Sequence, residues 1–209
     1  MVAKLLEPRN PRVRGKLVKC ATRLLNRRGY AATSVRAIVE AAGVTKPVLY
    51  HYFGSKEGIY REIVQHVLNH FEERLEFFRQ RGGSAAARLR DLCADMFTLL
   101  EEHLDSVRLM YSIYYGPPQG APHFDFDSFY QKLHEAIRQA VEEGVRAGEF
   151  RAGNVNDMAM AVMGALTVAI QSHLAHRPIH VGREGLDRVL DTIFSGMELS
   201  TSPGKVQAS

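Results

Sequence analysis

Residues 33–53, TSVRAIVEAAGVTKPVLYHYF, constrain the fold of this chain more than any other stretch. Val35, Ile38, Val39 and Ala42 recur at helical spacing, so residues 34–42 read as an amphipathic helix. Thr33 and Ser34 are residue types that cap helix N-termini. Gly43 stands where a left-handed residue ends such a helix. Thr45 is placed to cap a second helix, and Pro47 falls in its first turn, where a missing N–H does little harm. Val48, Leu49, Tyr52 and Phe53 give that helix an apolar side, while Lys46, Tyr50 and His51 give it a side suited to phosphates and bases. The pattern predicts a helix-turn-helix, in which the second helix enters the major groove of DNA.

Charge agrees with a polyanionic partner. The first 60 residues hold 12 Lys and Arg against 3 Asp and Glu, whereas the remainder holds 15 against 20. A basic N-terminal quarter on a mildly acidic remainder suits nucleic acid more than a uniformly charged surface does. Residues 12–28 form the first predicted helix, with Val13, Leu17, Ala21, Leu24 and Leu25 as the apolar stripe and Arg14, Lys16, Lys19, Arg23, Arg27 and Arg28 on other faces. Gly29 and Tyr30 close it. The stripe is expected to pack on Ile38, Val39, Leu49 and Phe53 as a three-helix unit. Lys4 and Arg9, in a short polar arm, are further candidate backbone contacts.

The run GVTKPVLYHYFGSKEGIY and its flanks resemble the tetracycline-repressor (TetR) family of bacterial transcription regulators. Gly29, Tyr30, Thr33, Ser34, Val35, Ile38, Ala41, Gly43, Val44, Lys46, Leu49, Tyr50, Tyr52, Phe53, Lys56 and Glu57 carry the likeness, over about residues 10–70. Ala37 departs from it, since the family often has Asp or Glu there, and the reciprocal capping box with Ser34 is lost. Pro47 departs from a commoner small residue, at a position expected to face bases.

The resemblance implies an all-α fold: an N-terminal three-helix DNA-binding head over residues 10–70, with the helix-turn-helix at 33–53. An effector-binding and dimerisation domain over 71–199 follows. The expected DNA contacts are Thr33, Ser34, Arg36, Thr45, Lys46, Pro47, Val48, Tyr50, His51 and Lys56. Lys46 is placed to reach guanine acceptors or a phosphate, Pro47 and Val48 to meet thymine methyl groups, and the resemblance assigns Tyr50 and His51 to phosphates. Lys56, beside the positive end of a helix, makes sense where that end faces a phosphate.

Beyond the head, Ile59, Ile63, Val67, Phe71, Leu75 and Phe78 continue one stripe, predicting a helix of about 25 residues, near 37 Å long. It is long enough to link both domains. Helices are further expected over 85–103, 107–115, from the Phe124–Phe129 cluster to Gly148, from Asn154 or Asn156 to Ala175, and over 183–199, with Pro178 closing the penultimate one. The polar tail 200–209 is expected to be disordered.

Met96, Phe97, Met110, Tyr111, Tyr114, Phe126, Phe129 and Met163 are the expected effector-pocket residues; the resemblance implies a small, often hydrophobic ligand, and flexible methionines and amphipathic tyrosines suit one. Plain core packing is the competing reading for each. Val162, Leu166, Ala169, Ile170, Val189, Ile193, Phe194 and Met197 resemble the family's four-helix dimer interface, which implies a homodimer on a palindromic operator.

Other chemistries find less support. His66 and His70, and His173 and His176, are paired at helical spacing, but neither pair has a third ligand nearby in sequence, so no metal is expected. No nucleophile elbow, phosphate loop or dinucleotide fingerprint occurs, so no enzyme and no cofactor is expected. Cys20 and Cys93 read as buried free thiols of a reducing cytoplasm. The run at residues 158–170 is too short to span a bilayer, so no membrane partner is expected. The function is expected to be a ligand-responsive repressor; the alternative is an architectural DNA-binding protein without an effector.

Overall fold

The computed structural model describes residues 10–118, 120–175 and 181–198. Lys4 and Arg9, His176, Pro178 and the tail 200–209 lie outside the described residues. The chain is all-α. The helices are α1 (Pro11–Ala32), α2 (Val35–Ala42), α3 (Lys46–Phe53), α4 (Lys56–Gln80), α5 (Ala85–Glu102), α6 (Leu104–Tyr114), α7 (Phe126–Arg146), α8 (Val155–Leu174) and α9 (Arg183–Met197). Among the described residues the nearest thing to a strand is one isolated antiparallel bridge, Phe150 to Glu198. No helix among them is long and apolar enough to cross a membrane.

Local chemistry sets most of the boundaries. Asn10 caps α1 by accepting from the Arg12 N–H at 3.0 Å, and Gly29 breaks its helical path with φ 76. Ser34 caps α2, accepting from the Ala37 N–H at 3.1 Å, and Gly43 ends it in the left-handed region at φ 63. Ser55 accepts from the Gly58 N–H at 2.9 Å at the head of α4. Asn154 accepts from the N–H groups of Asn156 and Asp157 at the start of α8. Thr45 precedes α3 but makes no side-chain cap bond.

The chain divides into two units. The first comprises the described part of Met1–Glu72 together with Leu99–Phe126; the second comprises Glu73–Thr98 and the described part of Asp127–Ser209. In the first unit α1 packs on α2 and on α6, and α2 packs on α3. Leu17, Ala21, Leu25, Ile38, Leu49, Ile59 and Val64 form its buried core. Asn26 Nδ2 donates to the Asp105 carbonyl at 2.7 Å, tying α1 to the first turn of α6.

In the second unit α8 packs on α9. Phe150 and Phe194 stack at 6.1 Å, and Arg90 lies over the Phe194 ring at 4.7 Å while pairing with Asp191 at 2.6 Å. The α5 N-terminus is met by Glu149, whose carboxylate accepts from the Ala85 N–H at 2.6 Å. Cys20 and Cys93 are both buried free thiols, and burial pushes the Cys93 thiol up to about 12.

Candidate nucleic-acid interface

The α2–α3 pair presents one polar surface. Thr45, Lys46, Pro47, Tyr50 and His51 lie on the open side of α3 or its cap, and Tyr50 keeps 49% of its surface. An exposed aromatic hydroxyl needs an explanation that core packing does not supply. Ser34 and Arg36 are exposed on α2; Arg36 Nε donates to Glu40 at 2.7 Å within the same helix. On α1, the basic residues alternate with the buried stripe, and Arg14 forms an ion pair with Glu62 of α4. The inward side of α3 is held by Leu49, fully buried, with the Tyr52 hydroxyl donating to the Asn10 carbonyl at 3.4 Å.

Three expected contacts are corrected by their surroundings. Val48 is only 4% exposed, so it is a core residue and not a reader of thymine methyls. Thr33 is 1% exposed, and its hydroxyl donates to the Gly29 carbonyl at 2.7 Å; Ser34 alone caps α2. The Lys56 ammonium is turned inward, donating to the Tyr30 carbonyl at 2.8 Å and lying 4.0 Å over the Tyr30 ring. Burial lowers its pKa. Lys56 therefore fastens the start of α4 to the end of α1, where the Tyr30 carbonyl, which also accepts from the Thr33 N–H, and an aromatic face attract a cation together.

The expected pocket residues fall in both units. Met110, Tyr111, Tyr114 and Phe126 belong to the first, Met96, Phe97, Phe129 and Met163 to the second. The structure brings Tyr114 and Phe126 together at 5.6 Å. It also continues from them a row of rings that sequence reasoning missed: Phe126 to Phe124 at 6.1 Å, Phe124 to Tyr60 at 6.0 Å and Tyr60 to Tyr30 at 5.2 Å. Tyr60 is fully buried, and its hydroxyl has no hydrogen-bond partner among the described residues. Burial, with Tyr30 beside it, pushes its pKa up to about 12. Tyr60 sits beside the α4 stripe, where helical spacing alone marks it as core.

The expected dimer residues are corrected in part. Val162, Leu166, Ala169, Phe194 and Met197 are buried within the chain itself, leaving them nothing to offer a partner. Ile170 and Ile193 are half-buried, and Val189 is 41% exposed. The outward apolar side chains of α8 are instead Met160, 60% exposed, and Val168, 59% exposed. The no-metal expectation also meets a finding: the fold brings His103 to the His66–His70 pair.

Residues 17–63 match the family model described as bacterial regulatory proteins, tetR family. The transcriptional repressor KstR2 of Mycolicibacterium smegmatis is 29% identical over 139 residues, 66% of this chain and 67% of that one. Residues 17–63 carry the DNA-binding segment of the TetR family. Among solved structures, the TetR-family regulator PfmR of Thermus thermophilus aligns with TM-score 0.70 at 27% identity, over 88% of this chain and 99% of that one. The SmeT–triclosan complex aligns with TM-score 0.70 at 16% identity, covering 94% and 98%, a likeness of fold. The matched segment and the relatives it aligns with are those of DNA-binding transcription regulators, not of enzymes.

Proposed function

We propose that this chain is a homodimeric repressor of the TetR family that binds a palindromic operator and is released by a small, hydrophobic effector. The observation that carries the reading is the outward set on α3, Lys46, Pro47, Tyr50 and His51, on a strongly basic head. Lys46 and Pro47 read base edges from the first turn, while Tyr50 and His51 donate to phosphates and fix the register. Arg36 joins them once its weak surface pair with Glu40 yields to a phosphate.

In this reading residues 10–70 hold DNA, and residues 71–199 carry the dimer contacts and most of the effector site. Dimerisation uses the outward face of α8 and α9, with Met160 and Val168 on one helix and Val189 and Ile193 on the other. Gly164 and Gly196 lie open on the same helices, with no atom within 4 Å of a side chain added at either. Such a surface lets two helices approach closely, and the occupant is a second copy of the chain, since the interface is then self-complementary.

The effector docks against the ring row Tyr60, Phe124, Phe126 and Tyr114, and the buried Tyr60 hydroxyl supplies its one oriented polar contact. A buried donor without a partner is a liability that a bound acceptor removes. Asn26 and Asp105 then pass a shift of α6 to α1. The SmeT–triclosan complex shares this fold, and an apolar aromatic ligand of that kind is the class proposed here.

Selection of bound duplexes from a random pool, followed by sedimentation of the complex, tests the reading. The expected result is a palindrome with half-sites about one helical turn apart, bound by two chains with salt-sensitive affinity. A non-palindromic consensus bound by one chain overturns it. Equal operator affinity across a screen of apolar aromatic ligands favours the architectural alternative.

A further inference from the structure

The geometry points to a transition-metal site that clamps α4 to the start of α6: we propose that His66, His70 and His103 bind one zinc-class divalent ion. The proposal stands on this cluster alone and does not depend on the repressor reading.

His66 and His70 lie one turn apart on α4, so their imidazoles share a face. His103 comes from the α5–α6 junction, where it is the residue before α6, with φ −121 and ψ 29. The three rings gather with centroids 4.5 Å apart for His66 and His70, 5.2 Å for His66 and His103, and 5.0 Å for His70 and His103. One nitrogen from each lies within 4.8 Å of the other two. Nitrogens bound to one tetrahedral zinc at 2.0–2.1 Å stand about 3.3 Å apart. Rotation about the side-chain torsions closes that difference without moving a helix.

The donor set selects the ion. Three neutral imidazoles suit zinc, copper, nickel or cobalt and are poor ligands for magnesium or calcium. No carboxylate or thiolate among the described residues completes the cluster. The fourth position is therefore left to water or to an oxygen or nitrogen of a small molecule, as in three-histidine zinc centres generally. His66 is exposed while His70 and His103 are half-buried, so the ion has a route in and a partly screened seat. All three residues belong to the first unit. An ion held there joins the middle of α4 to a junction whose next turn is tied to α1 through Asn26 and Asp105. The metal is thus a strap between two helices of the unit that carries the helix-turn-helix.

The test uses untagged, chelator-treated full-length protein and cobalt(II) as a spectroscopic probe. The expected result is one cobalt per chain with the intense visible bands of a tetrahedral site, displaced by zinc. Zinc at a hundredfold excess over its Kd should raise the Tm by about 5–10 °C. His70→Gln and His103→Gln should each weaken binding by at least about 100-fold, beyond the loss typical of an outer-shell partner. His134→Gln, outside the cluster, should leave it unchanged. To guard against a variant that does not fold, zinc-dependent protection of the wild-type histidines from diethyl pyrocarbonate is read in parallel, and protection should centre on His66, His70 and His103. Only a hydrated octahedral cobalt spectrum, unchanged affinity in both folded variants, or protection of other histidines instead overturns the assignment.

Discussion

Lys56 heads a helix whose free N–H groups already carry positive charge, an unfavourable place for a cation. Its bond to the Tyr30 carbonyl and its seat over the Tyr30 ring resolve the conflict. A charge-assisted hydrogen bond plus a cation–π contact contribute about 1–2 kcal/mol together. Lys56→Met keeps the stem and removes the charge, so it should lower the Tm by about 2–8 °C in calorimetry. Because the ammonium faces inward, operator affinity measured well below that Tm should stay within about threefold of wild type. Tyr50 behaves in the opposite way. It is exposed, so Tyr50→Phe should leave the Tm unchanged while weakening every duplex alike by about tenfold, the worth of one hydrogen bond to a charged oxygen. Unchanged affinity in a filter-binding titration counts against its phosphate role. Tyr60 adds a pH dependence. Its pKa is raised from 10.0 to about 12 in the fold, so the unfolded chain ionises first as pH rises. The stability it contributes is fully present below about pH 10 and is lost between there and about pH 12. Tyr60→Phe should flatten that part of the alkaline unfolding curve; an equally steep loss would place the cause elsewhere.

At the scale of elements, the join between α3 and α4 is set by a close approach. A Cβ at Gly58 would run into the Phe53 carbonyl oxygen. That atom is backbone, so no rotamer change relieves the clash, and α4 must shift against the recognition helix. Gly58→Ala should destabilise by about 2 kcal/mol or more and weaken operator binding by misplacing α3, read together in urea unfolding and gel shift. Helix identities and most ends are legible in the sequence because their signals are local. Ser34, Gly43, Ser55 and Asn154 each act within a few residues of the boundary they set. The faces are less legible. Val48 belongs by position to the groove side, in the first turn of the recognition helix, yet burial against the head turns it inward. On α8 nearly every position is apolar, so periodicity cannot separate Val162 and Leu166, which are core, from Met160 and Val168, which are not. His103 is invisible in the sequence as a third histidine because its approach to His66 and His70 depends on where α5 returns the chain. No spacing rule encodes that.

For the whole molecule, the number of chains decides whether the head can act as an operator-specific reader. One head reads a half-site of few base pairs, and its phosphate contacts bind any duplex. Two heads joined in one particle make the second contact intramolecular, which raises affinity by a factor of roughly 10²–10⁴ without any new contact. Dimerisation through α8 and α9 therefore predicts that a change far from DNA in sequence will act on DNA binding. Val168 is 59% exposed on α8, so Val168→Glu leaves the core of each chain untouched. In a two-fold interface the substitution appears twice, placing two like carboxylates in an apolar contact. Sedimentation should show a folded monomer for the variant and a dimer for wild type. Affinity for the full palindrome should fall by at least about 100-fold, and affinity for an isolated half-site should stay unchanged. A Val168→Glu protein that remains dimeric and binds the palindrome as wild type does would move the interface away from this face, even if the helix-turn-helix reading stood.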